Sequence, residues 1–417
     1  MFWDGACGYD SFVGAFLTPF VKANVHSPRN NHVLGWSCSK EGKMAQRSLF
    51  DCCEVSMCIC IRLMHRKMRE LWDYVRERNE NVEESERIVL LAVADWKAIE
   101  RYLGLRASGA KGSKEGTCFL CNFTNNTLPS ENGDEFDIQK TTHNTDVSYN
   151  NSHFPLHALR YDPLHGIARL LCFLLSSIVR QLESRRATSF RNSLSTRLLK
   201  CPDPIDDKCL GKIKPKEAAI ILEDDELIRE MSKELEGSSY RIPPMLYGAV
   251  SLPQVTPSEG FYQLMVSMRN YRRFTRLRFF TEEAILAFDT SWQYIQATIS
   301  VNKWKATPSA HYMLNHYLEK VLVDAEASFL VLQEGGEHTI GEMSNVTYFC
   351  QNTNKRALEL LKHAMAISNL HLDQTNPDFW IPKGDEPRRD FVTQNLNAKR
   401  TPWAVIALTT LISLSAQ

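Results

Sequence analysis

The chain has 417 residues, enough to bury a large core and more than one compact unit ordinarily needs. Its 49 basic and 49 acidic residues cancel, which excludes a globally basic nucleic-acid binder and requires any polyanion to be met by a local patch. The first residues lack the charged, apolar and cleavage regions of a secretory leader, so the twelve cysteines are expected to be reduced thiols of an intracellular protein.

Residues 1–60 mix short β-type runs, HVLGWSCS and VSMCICI among them, with Gly and Asn breaks, which predicts strands and turns. Cys52, Cys53, Cys58 and Cys60 cluster there without suitably spaced histidines and are expected to be buried thiols. From Arg62 to Glu86, apolar residues at helical spacing amid dense charge predict a solvated amphipathic helix. The apolar run Ile88 to Ala94 predicts a strand buried on both faces, with Asp95 where strand passes into helix. Residues 106–116 and 123–152 are polar and rich in Gly, Ser and Asn, so loops are expected. DPLHGIARLLCFLLSSIVRQLESRR then opens a helix, with Asp162 as N-cap and Pro163 at its first position. Further helical patterns cover about 215–236, 261–300, 307–333 and 355–368, so the chain turns from strand-containing to helical after about residue 120. The C-terminal TPWAVIALTTLISLSAQ has an apolar part shorter than the roughly 20 residues that span a bilayer, and reads as a terminal helix or tail.

CFLC, from Cys118 to Cys121, has the spacing of half a metal site. The best second half is HYMLNH, whose His311 and His316 fall in the His-x3–5-His range of Cys2His2 zinc sites. Four protein ligands leave no open position, so an ion there would be structural and would clamp a distant helix to the loop after Asp95. Spacing alone leaves the other reading open, a chance CxxC and two helix histidines that hold no ion. Positions five apart lie about 140° apart on a regular helix, which places one histidine at a helix start near Thr307-Pro308-Ser309.

Four islands, in order, carry a resemblance: WDGACGYD around Asp4, ADWKAIERYLGLRASG around Asp95 followed by CFLC, DPLHGIARLL with Leu164-His165, and HYMLNH. Together they resemble the catalytic core of the V(D)J recombination-activating recombinase and its relatives, the Transib transposases, from the first residues to about 370. The resemblance implies an α+β fold, a ribonuclease-H-like core interrupted by a large, mostly helical zinc-binding insertion. Residues 1–117 would form the first part of the core, 118–333 the insertion, 334–370 a helix completing the core and 371–417 a C-terminal tail. It implies metal-binding catalytic carboxylates at Asp4 and Asp95, and structural zinc on Cys118, Cys121, His311 and His316. It also implies a nuclear DNA endonuclease, homodimeric and in some cases with an accessory subunit. That enzyme nicks double-stranded DNA beside terminal-repeat or recombination-signal-like sites and converts the nick to a hairpin.

Such a reaction needs two hard cations, Mg²⁺ or Mn²⁺, roughly 4 Å apart in a cage of carboxylates. Aligned on Ile340-Gly341 and Ser344, the family's third carboxylate falls on Asn345, with Glu342 three residues earlier as the nearest substitute. That moves the carboxylate about 4.5 Å along a helix axis. Either the helix has shifted register or the site lacks a ligand, and the rival reading is a catalytically inactive, zinc-stabilised DNA-binding or protein-interaction module. The family also places a terminal-repeat-binding region ahead of its first aspartate, whereas only three residues precede Asp4, so most of the strand holding Asp4 is expected to be truncated.

DNA-contact candidates are His165 and four of the five arginines of MRNYRRFTRLRFF, namely Arg269, Arg272, Arg273 and Arg276. The competing reading of that run is a core face of Tyr271, Phe274 and Leu277 with a solvated cationic side. Trp292 and Trp304 could stack on a flipped base or be ordinary core.

Overall fold

The computed structural model describes the backbone of residues 2–7, 11–17 and 32–39, most of 70–99, and 118–120, 159–195, 213–243, 255–276 and 282–317. The chain divides into two compact units, Met1–Leu105 with Thr145–Asp162 and Leu330–Lys399, and Arg106–Asn144 with Pro163–Phe329 and Arg400–Gln417. It is a mixed α+β protein, mostly helical among the described residues.

In the first unit, β1 (Phe2–Cys7), β2 (Ser11–Leu17), β3 (His32–Ser39), β4 (Ala92–Ala94) and β5 (Leu159–Tyr161) form one sheet in the order β3-β2-β1-β4-β5. Aromatic and β-branched residues favour the first three strands. β1 and β2 are an antiparallel hairpin that closes at the pair Cys7–Ser11, and β2 runs antiparallel to β3 with a register shift between Ala15 and Phe16. β4 is parallel to both its neighbours, β1 and β5. Its AVA residues are all buried, as a strand flanked on both sides requires. Ile88, Val89 and Leu90, expected in this strand, lie outside the described residues. Asp4 is the third residue of the six-residue β1.

β5 is absent from the sequence reading, which assigned its residues to the insertion. Three residues, LRY, are too few to show a period, and Arg160 is buried among them at 3% exposure. β5 pairs with β4, and Thr145–Asp162 belongs to the same compact unit as Met1–Leu105. Residues 72–80 of the expected amphipathic helix are helical, with Val75 buried and Tyr74 exposed; the remainder of that prediction is mostly outside the described residues.

The second unit is helical: α1 (Pro163–Val179), α2 (Ser184–Ser195), α3 (Pro215–Glu223), α4 (Asp225–Lys233), α5 (Pro257–Thr275), α6 (Glu282–Val301) and α7 (Pro308–Asn315). α1 is apolar on nearly every side and buries Ile167, Leu170, Leu171, Leu174, Leu175 and Ile178, each worth roughly 1.5–3 kcal/mol of transfer free energy. α7 lies against α1 at Gly166, where an added Cβ would stand 2.3 Å from Met313 Sδ. Glycine leaves the space that the Met313 side chain fills.

Two stretches read as single helices are pairs. Asp224 adopts φ −91°, ψ 93° and ends α3, while its carboxylate accepts from Leu227 N–H and starts α4. The 261–300 pattern divides into α5 and α6. α5 begins with a capping box in which Thr256 accepts from Glu259 N–H and Glu259 accepts from Thr256 N–H. Phe274 stacks on Phe288 at 4.0 Å between ring centroids, joining α5 to α6. No helix among the described residues is long and apolar enough to cross a membrane.

Candidate metal centre

Thr307 caps α7 by accepting from Ala310 N–H, and Pro308 occupies the first turn, where its missing N–H costs nothing. One turn in, His311 donates its backbone N–H to Thr307 O at 2.8 Å, and it is fully buried. The helix ends at Asn315, and His316 leaves it with φ −116°, ψ −27°. That departure resolves the 140° problem of the spacing. His311 is the histidine expected near the helix start, three residues after Pro308, while His316 stands just past the helix end, and the two Nε2 atoms are 3.2 Å apart with rings inclined at 73°.

Cys118 is fully buried and completes the cluster, in which its Sγ and the ring nitrogens of His311 and His316 all lie within 4.8 Å of one another. Phe119 stacks on Tyr312 at 5.2 Å and 23°, holding the cysteine segment against α7. Leu120 N–H points at Cys118 Sγ at 3.4 Å, the kind of bond that a metal-bound thiolate accepts. Cys121, the fourth expected ligand, lies outside the described residues.

The group can hold a metal ion. A tetrahedral ion with nitrogen and sulfur bonds of about 2.0 and 2.3 Å sets its donors about 3.3–3.6 Å apart. The histidine pair already has that separation. A soft thiolate with two imidazoles is a donor set suited to zinc.

A part of the site that sequence reasoning missed surrounds His311 Nδ1. Asn315 Nδ2 lies 3.0 Å from it and donates to His311 O at 3.0 Å, while Asn315 Oδ1 accepts from Gln296 Nε2 at 3.3 Å. The only available signal was Asn315 four residues after His311 on one helical face.

In the first unit, Phe2 pairs with Val93 and Trp3 with Ala94. Asp4 and Asp95 stand one step further along the same register. Asp95 O accepts from Ile99 N–H at 3.0 Å, so this half-buried aspartate sits at the predicted strand-to-helix junction. Asp162 takes the corresponding step after β5; it is buried and donates its N–H to Ala94 O at 3.0 Å. Glu342 lies outside the described residues, and His165 is half-buried in the first turn of α1.

The arginine run settles on the reading of a core face with a cationic side. Tyr271 and Phe274 are buried, and the Tyr271 hydroxyl donates to Met313 O, tying α5 to α7; Leu277 lies outside the described residues. Arg269 meets Asp225 at 2.6 Å, Arg273 meets Glu223 at 2.6 Å and Arg272 meets Glu223 at 3.2 Å. The hydrogen bond from Arg273 holds the Glu223 carboxyl below its ordinary range, and that from Arg269 does the same for Asp225. Arg276, just past α5, is exposed, and partial burial and nearby Arg272 lower its affinity for its proton. Trp304 is core, edge-on to Phe173 at 6.5 Å, and Trp292 Nε1 donates to Leu314 O. Neither Cys118 nor Cys172 is in a disulfide, and burial pushes the Cys172 thiol up to about 11.

No known family model matches the chain, and no curated protein matches it.

Proposed function

We propose that the chain is a DDE-type recombinase or transposase-like DNA endonuclease core, built on a ribonuclease-H-like sheet with a helical zinc-binding insertion. The observation that carries the reading is the register of β1 and β4. It pairs Trp3 with Ala94, the residues directly ahead of Asp4 and Asp95, in neighbouring parallel strands, with an antiparallel β2-β3 pair on the far side of β1. Ligands of open parallel sheets gather beyond the carboxyl ends of the strands, the end at which Asp95 lies. The Cys118, His311 and His316 group supports the second half of the resemblance.

In this reading Asp4 and Asp95 supply hard oxygen donors at positions the sheet hydrogen bonds hold rigid, and Glu342 supplies the third carboxylate. Mg²⁺ or Mn²⁺ bound there would neutralise charge at the scissile phosphate of double-stranded DNA and at the attacking oxygen. His165, Arg269, Arg272, Arg273 and Arg276 are the candidate phosphate contacts. Arg269, Arg272 and Arg273 would have to exchange Glu223 and Asp225 for phosphate. The zinc on Cys118, Cys121, His311 and His316 is structural. Intact, the protein would act as a nuclear homodimer.

A second reading, a non-catalytic zinc-stabilised DNA-binding module, is favoured by Asn345 standing where the third carboxylate belongs. Purified protein incubated with Mn²⁺ and end-labelled duplex separates the two. Nicking that disappears in Asp95→Ala supports the endonuclease, whereas binding with no cleavage in any divalent cation supports the module.

A further inference from the structure

We propose that Arg180, Arg241, Lys303 and Lys305 form a cationic face of the helical unit that docks the phosphate backbone of duplex DNA; this rests on the DNA reading of the chain and adds which surface of that unit the duplex meets. A chain of zero net charge can meet a polyanion only through a local patch. The arginines of α5 make a poor one, since Arg269, Arg272 and Arg273 are already paired with Asp225 and Glu223. Arg180, Arg241, Lys303 and Lys305 differ in being all exposed, and among the described residues none of them has an ion pair.

The four come from three separate segments, and one buried side chain gathers them. Asn302, just past α6, accepts at Oδ1 from Gln181 Nε2 at 3.3 Å and from Arg241 N–H at 2.8 Å. Its Nδ2 donates to Arg241 O at 2.7 Å and to Thr298 O at 2.9 Å. Both donors and both acceptor sites of the carboxamide are thereby used. Ser239 Oγ adds a bond to Gln181 O at 3.4 Å. Arg180 directly precedes Gln181 and Lys303 directly follows Asn302, so three of the cations spring from backbone that this junction fixes, with Lys305 two residues beyond Lys303.

The backbone at Lys303 is a second and independent sign. Its φ is 53°, in the left-handed region that side chains avoid because Cβ crowds the carbonyl oxygen. It lies there as the residue that closes α6: Trp304 N–H donates to Ile299 O and Lys303 N–H to Ser300 O, each at 3.0 Å, a double closure that ordinarily places glycine at this position. At its other described left-handed residue the chain does use glycine, Gly237. An exposed lysine held at a glycine position is local strain that packing does not explain, whereas a use for its charge does. The carbonyl ends of α1 and α6 attract cations, but together they amount to about one negative charge, which the four cations exceed.

The test measures binding of the full chain to a fluorescein-labelled duplex by anisotropy over a range of NaCl concentrations. Each phosphate contact adds about 0.9 to the slope with which log affinity falls against log salt. The variant carrying Arg180→Gln, Arg241→Gln, Lys303→Gln and Lys305→Gln together is expected to flatten that slope by about 2–4. Lys303→Gly separates charge from structure. It relaxes the left-handed turn, so the melting temperature should rise, yet the slope should flatten by about one. A lysine kept only for stability gives the reverse, a lower melting temperature with the parent slope, and that result overturns the proposal. Parent slope and affinity in the quadruple variant overturn the cationic face alone. If that variant does not fold, Lys303→Gly decides by itself, and the parent slope in it overturns the face. A parent chain that binds no duplex even at low salt overturns the DNA reading and the face together. Parent binding to phosphatidylserine vesicles that the quadruple variant loses, with duplex binding unchanged, overturns the proposal in favour of a membrane surface.

Discussion

Asp4 and Asp95, ninety-one positions apart in the chain, directly follow Trp3 and Ala94, which pair across the parallel strands β1 and β4. On the proposed function, Asp95→Ala removes one carboxylate from a rigid frame without touching the sheet ladder. Mn²⁺-dependent nicking should fall to the level of a metal-free control, while zinc content and thermal midpoint stay as in the parent. Cleavage persisting in Asp95→Ala would exclude this residue from the reaction.

Zinc binding and folding of the helical unit are expected to be linked, because the ligands come from segments far apart in sequence. Elemental analysis should find one zinc per chain. Chelation should lower the melting temperature of the helical unit, and Cys118→Ser should reproduce that loss. Acid should release the ion, since both imidazoles must be neutral and the thiol ionised to bind it.

Gly166 and Met313 bring α1 and α7 together at a distance no Cβ tolerates, 2.3 Å from the sulfur. Gly166→Ala should therefore destabilise the protein by about 1–3 kcal/mol, the range for overpacked cores. Adding Met313→Ala should recover part of that loss, because the two residues share one contact. Denaturant titration of the two single variants and the double variant measures the coupling.

The carboxylates of α3 and α4 latch α5 through Arg269, Arg272 and Arg273. Glu223 has a folded-state pKa below its unfolded one, so its contribution is present at neutral pH and is lost as the pH falls below the ordinary carboxylate value and through the lower folded one. The pair is partly exposed, so Glu223→Gln should cost under about 1 kcal/mol at neutral pH, and less in high salt. Stability of Glu223→Gln and parent should converge in acid, as followed by helical circular dichroism.

Where a structural signal is carried by residues a few positions apart, the sequence was sufficient. The junction at Asp95, the start of α1 at Pro163 and the start of α7 just after Thr307 are all legible in it. So is the group Cys118, His311 and His316 that could hold a metal ion, since residue type and spacing define it as a candidate set. Tertiary structure decided the rest. It ended α7 before His316 and so turned two histidines on different faces into a pair. It drew the short LRY segment into the sheet, and it gave the arginine run acidic partners from α3 and α4. Caps and periodicity are local, set by backbone geometry over one or two turns. Which distant side chains meet depends on how whole helices and strands pack, and no window of neighbouring residues encodes that.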